Sequence, residues 1–198
     1  IMDTRAAEII RRARGEGREL YLFLSGGVDS TAMTCALLKA AGGNMHGLHA
    51  VYTRYSVREY PAFFAFLHGL VDMMEVQPGR ALDDAQARAM EQGYAVTGWC
   101  ADQLFGSQIN HDYPDWSFRD WRGWVGFDDA VQQLEAAFAH YGLPVKTFGE
   151  FAWFMNFACK YDIVRHQDVW STGEVTGRML AFYDTPAFNR WSLSHFDV

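Results

Sequence analysis

One short segment of the sequence combines the residue types that bind phosphate in proteins. It consists of Ser25, Gly26, Gly27, Val28, Asp29 and Ser30, and Thr31 follows it. Two adjacent glycines let the backbone turn tightly and direct successive N–H groups to one place, where they form a nest for an anion. The hydroxyl groups of Ser25, Ser30 and Thr31 are further hydrogen-bond donors. The segment therefore predicts a phosphate-binding loop, although it lacks the lysine of the GxxxxGK[ST] loop.

Asp29 is the residue in this segment that indicates a metal ion. A carboxylate repels a nearby phosphate unless a divalent cation lies between them, and Mg²⁺ is commonly bound by one or two carboxylates together with phosphate oxygens. The segment thus predicts Mg²⁺ as well as phosphate. A plain helix-capping turn is the alternative interpretation, because Asp and Ser are common caps and Gly is common in turns. The expected ligand-binding residues are Ser25, Gly26, Gly27, Asp29, Ser30 and Thr31.

The elements around this segment predict an α/β fold. The apolar run Tyr21–Leu24 comes directly before it and is typical of a buried parallel strand. Further strands are predicted at 48–52, 73–76 and 94–97, with another near 179–183. Helices are predicted at 3–14, from an Asp29–Ser30 cap to Gly42, and at 57–71, 80–92, 128–141, 149–165 and 184–193. Strands that alternate with helices imply a parallel sheet covered on both faces.

A second glycine-containing segment follows the strand predicted at 94–97. It contains Gly98, Trp99, Cys100, Ala101, Asp102, Gln103, Leu104, Phe105 and Gly106. Both segments therefore follow predicted strands of one parallel sheet. Open α/β sheets bind their ligands at the carboxyl ends of the strands, so the two segments are expected at the same edge.

The two segments together resemble a known family. SGGVDS resembles the signature of the PP-loop ATP pyrophosphatases, the adenine-nucleotide α-hydrolase-like superfamily. The second segment resembles the sequence G-(D/E)-G-(S/A/G)-D-E-L-F-G-G of asparagine synthetases, β-lactam synthetases and lasso-peptide cyclases. The resemblance implies a doubly wound parallel sheet of the PP-loop type with a helical C-terminal extension. The matching residues of the second segment are Gly98, Ala101, Asp102, Leu104, Phe105 and Gly106.

The resemblance also implies an activity and its ligands. Members of the family cleave ATP between the α- and β-phosphates, adenylate a carboxylate or carbonyl oxygen and release pyrophosphate, after which a nitrogen or sulfur nucleophile displaces AMP. For this chain it implies an AMP-forming amide ligase that uses ATP and Mg²⁺ on a small-molecule or peptide substrate with a carboxylate. Asp29 and Asp102 would bind the metal, and Asp102 and Lys160 would be catalytic. Lys160 would neutralise the leaving pyrophosphate, with Arg165 and Arg178 as other candidates.

The chain departs from the family pattern at two positions. Trp99 replaces an acidic residue, and Gln103 replaces a glutamate. Because Trp99 cannot act as an acid or base, asparagine synthesis itself is not expected. Two alternatives stay open: a nucleobase-modifying or sulfur-transferring relative, in which Cys100 would react, and a nucleotide-binding module without catalysis.

Composition limits the class of protein further. The 198 residues are 49% hydrophobic and 21% charged, with a net charge of −7, which does not favour a nucleic-acid partner. Three cysteines without a CxxC pair do not indicate a disulfide framework or a zinc module. The charged N-terminal stretch and the lack of a long apolar run predict a cytoplasmic protein without a membrane segment. We expect one domain over 1–198, with a core of about 19–110 and a helical part at about 111–198. A homodimer or partner subunit could complete the substrate site, since the chain is short for the family.

Overall fold

The computed structural model describes residues 1–77, 91–99, 101, 119–125, 128–155 and 178–194. The chain divides into two compact units. The first unit is drawn from Ile1–Ala101 and Arg165–Ala187, and the second from Asp102–Val164 and Phe188–Val198. No helix within the described ranges is both long enough and apolar enough to cross a membrane.

A five-stranded, all-parallel sheet forms the centre of the first unit, which confirms the α/β class. The strand order is β3-β2-β1-β4-β5. In the register of the sheet, Phe23 is paired with Val51 on one side and with Thr97 on the other. The strands are β1 (Glu19–Leu24), β2 (Leu48–Tyr52), β3 (Asp72–Glu75), β4 (Gly93–Thr97) and β5 (Met179–Ala181).

Two long helices form where the spacing of apolar residues predicts them. Helix α1 spans Met2–Gly15, and its buried residues are Ala6, Ile9, Ile10 and Ala13. Helix α2 spans Val28–Ala41 and ends at Gly42, whose φ of +63° is the left-handed conformation that glycine adopts most easily. The two helices pack against each other and both contact β1. The central strand β1 is mostly buried, and its Leu22 is fully enclosed.

The single helix predicted at 57–71 is wrong. Two short helices are present instead: α3 (Arg54–Glu59) and α4 (Pro61–Leu67). Tyr60 separates them with φ −142° and ψ 72°, because a residue that precedes proline is pushed away from helical geometry. As a result, α3 begins just after β2, at the carboxyl edge of the sheet.

The second unit is helical in its described part. Trp121 is fully buried and stacks on the ring of Phe151, with 5.0 Å between the ring centroids, while Phe138 meets it edge-on at 5.4 Å. The helix predicted at 128–141 is observed, whereas the one predicted at 80–92 lies outside the described residues except for its last two. The remaining helices are α5 (Arg122–Val125), α6 (Asp128–Tyr141), α7 (Phe148–Phe154) and α8 (Pro186–Ser194).

Candidate functional site

The topology of the sheet marks one edge as a ligand site. The chain runs from β1 through β2 to β3 on one side, and β4 then lies on the other side of β1. This reversal of strand order is a topological switch point, and open α/β sheets bind ligands outside the carboxyl ends of the strands at such a point. Ser25 directly follows β1, and Gly98 directly follows β4. The start of each predicted segment therefore lies at the switch point.

Gly26 fixes the path of the loop after β1. Its φ is +95°, and a Cβ atom there would overlap the carbonyl oxygen of Ser56 and lie 2.9 Å from the Cβ of Glu59. A Cβ at Gly27 would lie 3.5 Å from a carboxylate oxygen of Glu59. The loop therefore packs directly on α3, and its first glycine leaves no room for a side chain.

Helix α2 begins one residue before the predicted cap. Gly27, with φ −72° and ψ 169°, is the N-cap, so the expectation of an Asp29–Ser30 cap is wrong. The extended conformation of Gly27 starts the helix at Val28, which places Asp29 and Ser30 inside its first turn. Gly27 has no side chain that could cap α2, whereas Thr53 caps α3 through a capping box. Because the first N–H groups of a helix have no partner within it, a first turn that its own N-cap residue does not cap is suited to an anion.

The hydroxyl groups of the loop form a small network. The Oγ atoms of Ser25 and Ser30 are 3.1 Å apart, and Ser30 Oγ donates to the carbonyl oxygen of Gly27 at 3.1 Å. Ser25 Oγ accepts the N–H of Gly27 at 3.2 Å. The Oγ1 of Thr31 is buried without a hydrogen-bond partner among the described residues. Buried hydroxyls normally have a partner, so Thr31 is a further candidate for contact with a bound group.

Tyr183 is a residue of this site that sequence reasoning missed. Its side chain is only 1% exposed, and its hydroxyl donates to the carbonyl oxygen of Asp29 at 2.9 Å. Burial, and then the negative charge of Asp29, raise the pKa of Tyr183. The strand predicted at 179–183 indicated that this part of the chain joins the sheet, but no local pattern indicated the contact with Asp29.

Gly98 places the start of the second segment close to the first segment. A Cβ atom at Gly98 would lie 3.1 Å from the backbone nitrogen of Ser30 and 3.3 Å from its Cα. The next residue, Trp99, is 37% exposed. Apart from Ala101, the rest of the second segment lies outside the described residues, as does Lys160, so the roles of Cys100, Asp102, Gln103 and Lys160 stay predictions.

Arg178 does not lie at the switch-point edge. It directly precedes β5, and its guanidinium donates to the carbonyl oxygen of Glu91, which lies two residues before β4. Because β4 and β5 are parallel, this contact is at the amino ends of the strands. The structure thus gives no support to Arg178 as the cation for a leaving pyrophosphate, and Arg165 lies outside the described residues.

The Asp29 carboxylate is suited to a Mg²⁺ ion that arrives with a phosphate. Among the described residues no group of three or more His, Cys, Asp or Glu side chains could hold a metal ion. Mg²⁺ does not require such a group, since one or two carboxylates together with substrate phosphates and water are its common ligands. Asp29, in the first turn of α2 beside the phosphate-binding loop, can supply one such carboxylate.

Two comparisons, with protein-family models and with curated proteins, found no match. No protein-family model matches the chain, and no curated protein is significantly similar to it.

Proposed function

We propose that this protein is an ATP-binding enzyme that forms AMP and pyrophosphate. It adenylates a carboxylate or carbonyl group of a small-molecule or peptide substrate for attack by a nitrogen nucleophile, as asparagine synthetases do. One observation carries the proposal: a glycine loop, with Gly27 as the N-cap, opens helix α2 at the switch point of a parallel sheet, with Asp29 in the first helical turn.

The phosphate cradle, defined as residues 25–31, supplies the binding energy in this proposal. Backbone N–H groups in the first turn of α2 and the hydroxyl of Thr31 donate to the β- and γ-phosphates, and the hydroxyls of Ser25 and Ser30 donate to them by exchanging the hydrogen bonds that they form within the loop. The positive end of the α2 dipole adds to their attraction. Each hydrogen bond to a charged phosphate contributes about 1.5–3 kcal/mol. Three such bonds would therefore suffice for substantial affinity.

Asp29, together with Asp102 as predicted from the sequence, would hold Mg²⁺. When bound, the ion neutralises negative charge on the phosphates. Asp29 can serve this purpose because its backbone is held by Tyr183 on one side while Gly98 approaches the following residue. The side chain is therefore attached to a well-packed turn.

The proposed reaction, which the resemblance implies, has two steps. An oxygen of the substrate carboxylate attacks the α-phosphorus, the bond between the α-phosphorus and its bridging oxygen breaks, and pyrophosphate leaves with the electron pair. The nucleophile then attacks the acyl carbon, loses a proton and displaces AMP. The cradle holds the leaving pyrophosphate, and Lys160 is the predicted cation that neutralises its charge.

Trp99 favours one alternative, a nucleotide-binding module that has lost catalysis. It is an exposed tryptophan directly after the glycine that touches α2, where the resembling enzymes carry an acid. A sulfur-transferring or nucleobase-modifying enzyme is the other alternative, and it would depend on Cys100.

Exchange of radioactive pyrophosphate into ATP tests the proposal without knowledge of the nucleophile. The protein is incubated with Mg²⁺, ATP and pools of carboxylic acids, and the labelled nucleotides are separated. We expect exchange that depends on one pool and that Asp29→Ala abolishes. Asp3→Ala is the matched control, because Asp3 also lies in the first turn of a helix but forms an ion pair with Lys39.

The nucleotide products separate the alternatives. Release of ADP and phosphate instead of AMP would overturn the proposed reaction. Binding of ATP without exchange or turnover on any pool would support the inactive module. Loss of product formation but not of pyrophosphate exchange in Cys100→Ser would favour a cysteine-dependent enzyme.

A further inference from the structure

The peptide unit between Asp29 and Ser30 is held from a distant part of the chain. The hydroxyl of Tyr183, two residues after β5, donates to its carbonyl oxygen at 2.9 Å. Tyr183 is almost completely buried, so its hydroxyl cannot exchange this partner for bulk water. A phenol buried at this position therefore fixes the direction of the Asp29 carbonyl.

The same peptide unit carries an N–H group of the cradle. The carbonyl of Asp29 and the N–H of Ser30 belong to one planar group, so a hydrogen bond that fixes the carbonyl also fixes the N–H on the opposite side. This N–H lies in the first turn of α2, whose N-cap residue is Gly27. Its direction decides how well it meets a phosphate oxygen, because hydrogen bonds weaken steeply as they bend.

Gly98, which directly follows strand β4, also limits where this peptide unit can lie. A Cβ there would lie 3.1 Å from the Ser30 nitrogen and 3.4 Å from the carbonyl carbon of Asp29. The peptide unit is therefore close to Gly98, which follows β4, and to Tyr183, which follows β5. Both residues lie outside the loop after β1.

We propose that Tyr183 is a positioning residue of the phosphate cradle, which orients the Ser30 N–H toward a bound phosphate through the Asp29 carbonyl. The inference rests on the proposed function, since it assigns a role within the same site. Tyr183 touches neither the phosphate nor the reacting atoms in this role. A tyrosine hydroxyl is protonated in the neutral range, so Tyr183 is a donor there.

Titration calorimetry with magnesium pyrophosphate tests this role on the full chain. We expect Tyr183→Phe to bind with about threefold to tenfold lower affinity and unchanged stoichiometry, which corresponds to the loss of about one hydrogen bond. Tyr94→Phe is the matched control, because Tyr94 is equally buried but its hydroxyl donates to Glu16. Its affinity should stay within about twofold of the wild type.

The amide signal of Ser30 in a nitrogen–proton correlation spectrum separates positioning from mere stabilisation. We expect pyrophosphate to shift this signal strongly in the wild type and much less in Tyr183→Phe, at equal saturation. Equal affinities and equal Ser30 shifts in the two proteins would overturn the inference and leave the proposed function intact. A wild type that binds no magnesium pyrophosphate would overturn both.

Discussion

Replacement of Gly26 by alanine should destabilise the first unit by about 2–5 kcal/mol. The φ of +95° at Gly26 is unfavourable for any residue with a Cβ, at a cost of about 1–2 kcal/mol. The added methyl group would also overlap the Ser56 carbonyl oxygen and lie 2.9 Å from Glu59 Cβ. Because backbone atoms of α3 must then move, we add the cost of overpacking, about 1–3 kcal/mol.

Gly17→Ala separates the two contributions. Gly17 also has a positive φ, +63°, but a Cβ there would meet no atom within 4 Å. Its substitution should therefore cost only the backbone contribution, about 1–2 kcal/mol. The difference between the two variants then measures the contact between the cradle and α3.

Urea unfolding followed by circular dichroism measures both changes. With similar slopes, the midpoint of Gly26→Ala should fall clearly below that of Gly17→Ala, which in turn lies below the wild type. If Gly26→Ala unfolds at the same urea concentration as Gly17→Ala, the loop does not pack on α3 as described. The structural basis of the cradle would then be wrong.

Two further substitutions test other parts of the structure. Gly98→Ala should weaken binding of magnesium ATP about fivefold, because the added methyl group shifts the Ser30 N–H by a few tenths of an ångström and roughly one hydrogen bond is lost. Calorimetry measures this change, and Gly69→Ala is the control because a Cβ there would meet no atom within 4 Å. Tyr21→Phe should lower stability at pH 7, because the hydrogen bond from Tyr21 is the largest cause that lowers the pKa of Glu19. That contribution exists above the ordinary carboxyl pKa of about 4.3 and disappears as pH falls through the lowered value, so urea midpoints of the two proteins should converge in acid.

Each of these expectations can be contradicted. An unchanged affinity of Gly98→Ala would show that the second segment does not limit the position of Ser30. A stability difference for Tyr21→Phe that stays constant from pH 7 to acid would show that the charged form of Glu19 is not what Tyr21 stabilises.

Local pattern was sufficient to predict the strands and the two long helices in the described part of the first unit. Continuous apolar runs located β2 at 48–52 and placed β1 and β4 within two residues, because strands buried on both faces carry little else. The spacing of Ile9 and Ile10 predicted the buried side of α1. The break at Tyr60 was missed because Pro61 was interpreted as a first-turn residue of a longer helix, although it also disfavours helix at the residue before it.

The contacts that shape the cradle could not be predicted from the sequence. Tyr183 is 154 positions from Asp29, and only the pairing of β5 beside β4 brings it to the carboxyl edge. The contact of Gly26 with Ser56 likewise depends on where α3 begins after β2. Such contacts come from the order of strands, which residue types and periodicity do not specify.

The central claim is that the cradle binds a magnesium nucleotide through Asp29, and calorimetric titration of the full chain with ATP tests it most directly. The titration is carried out with Mg²⁺ and with a chelator, on the wild type, Asp29→Ala and the control Asp3→Ala. We predict binding by the wild type and Asp3→Ala that requires Mg²⁺ and is lost in Asp29→Ala. No binding by the wild type, or equal binding by Asp29→Ala, would contradict the account.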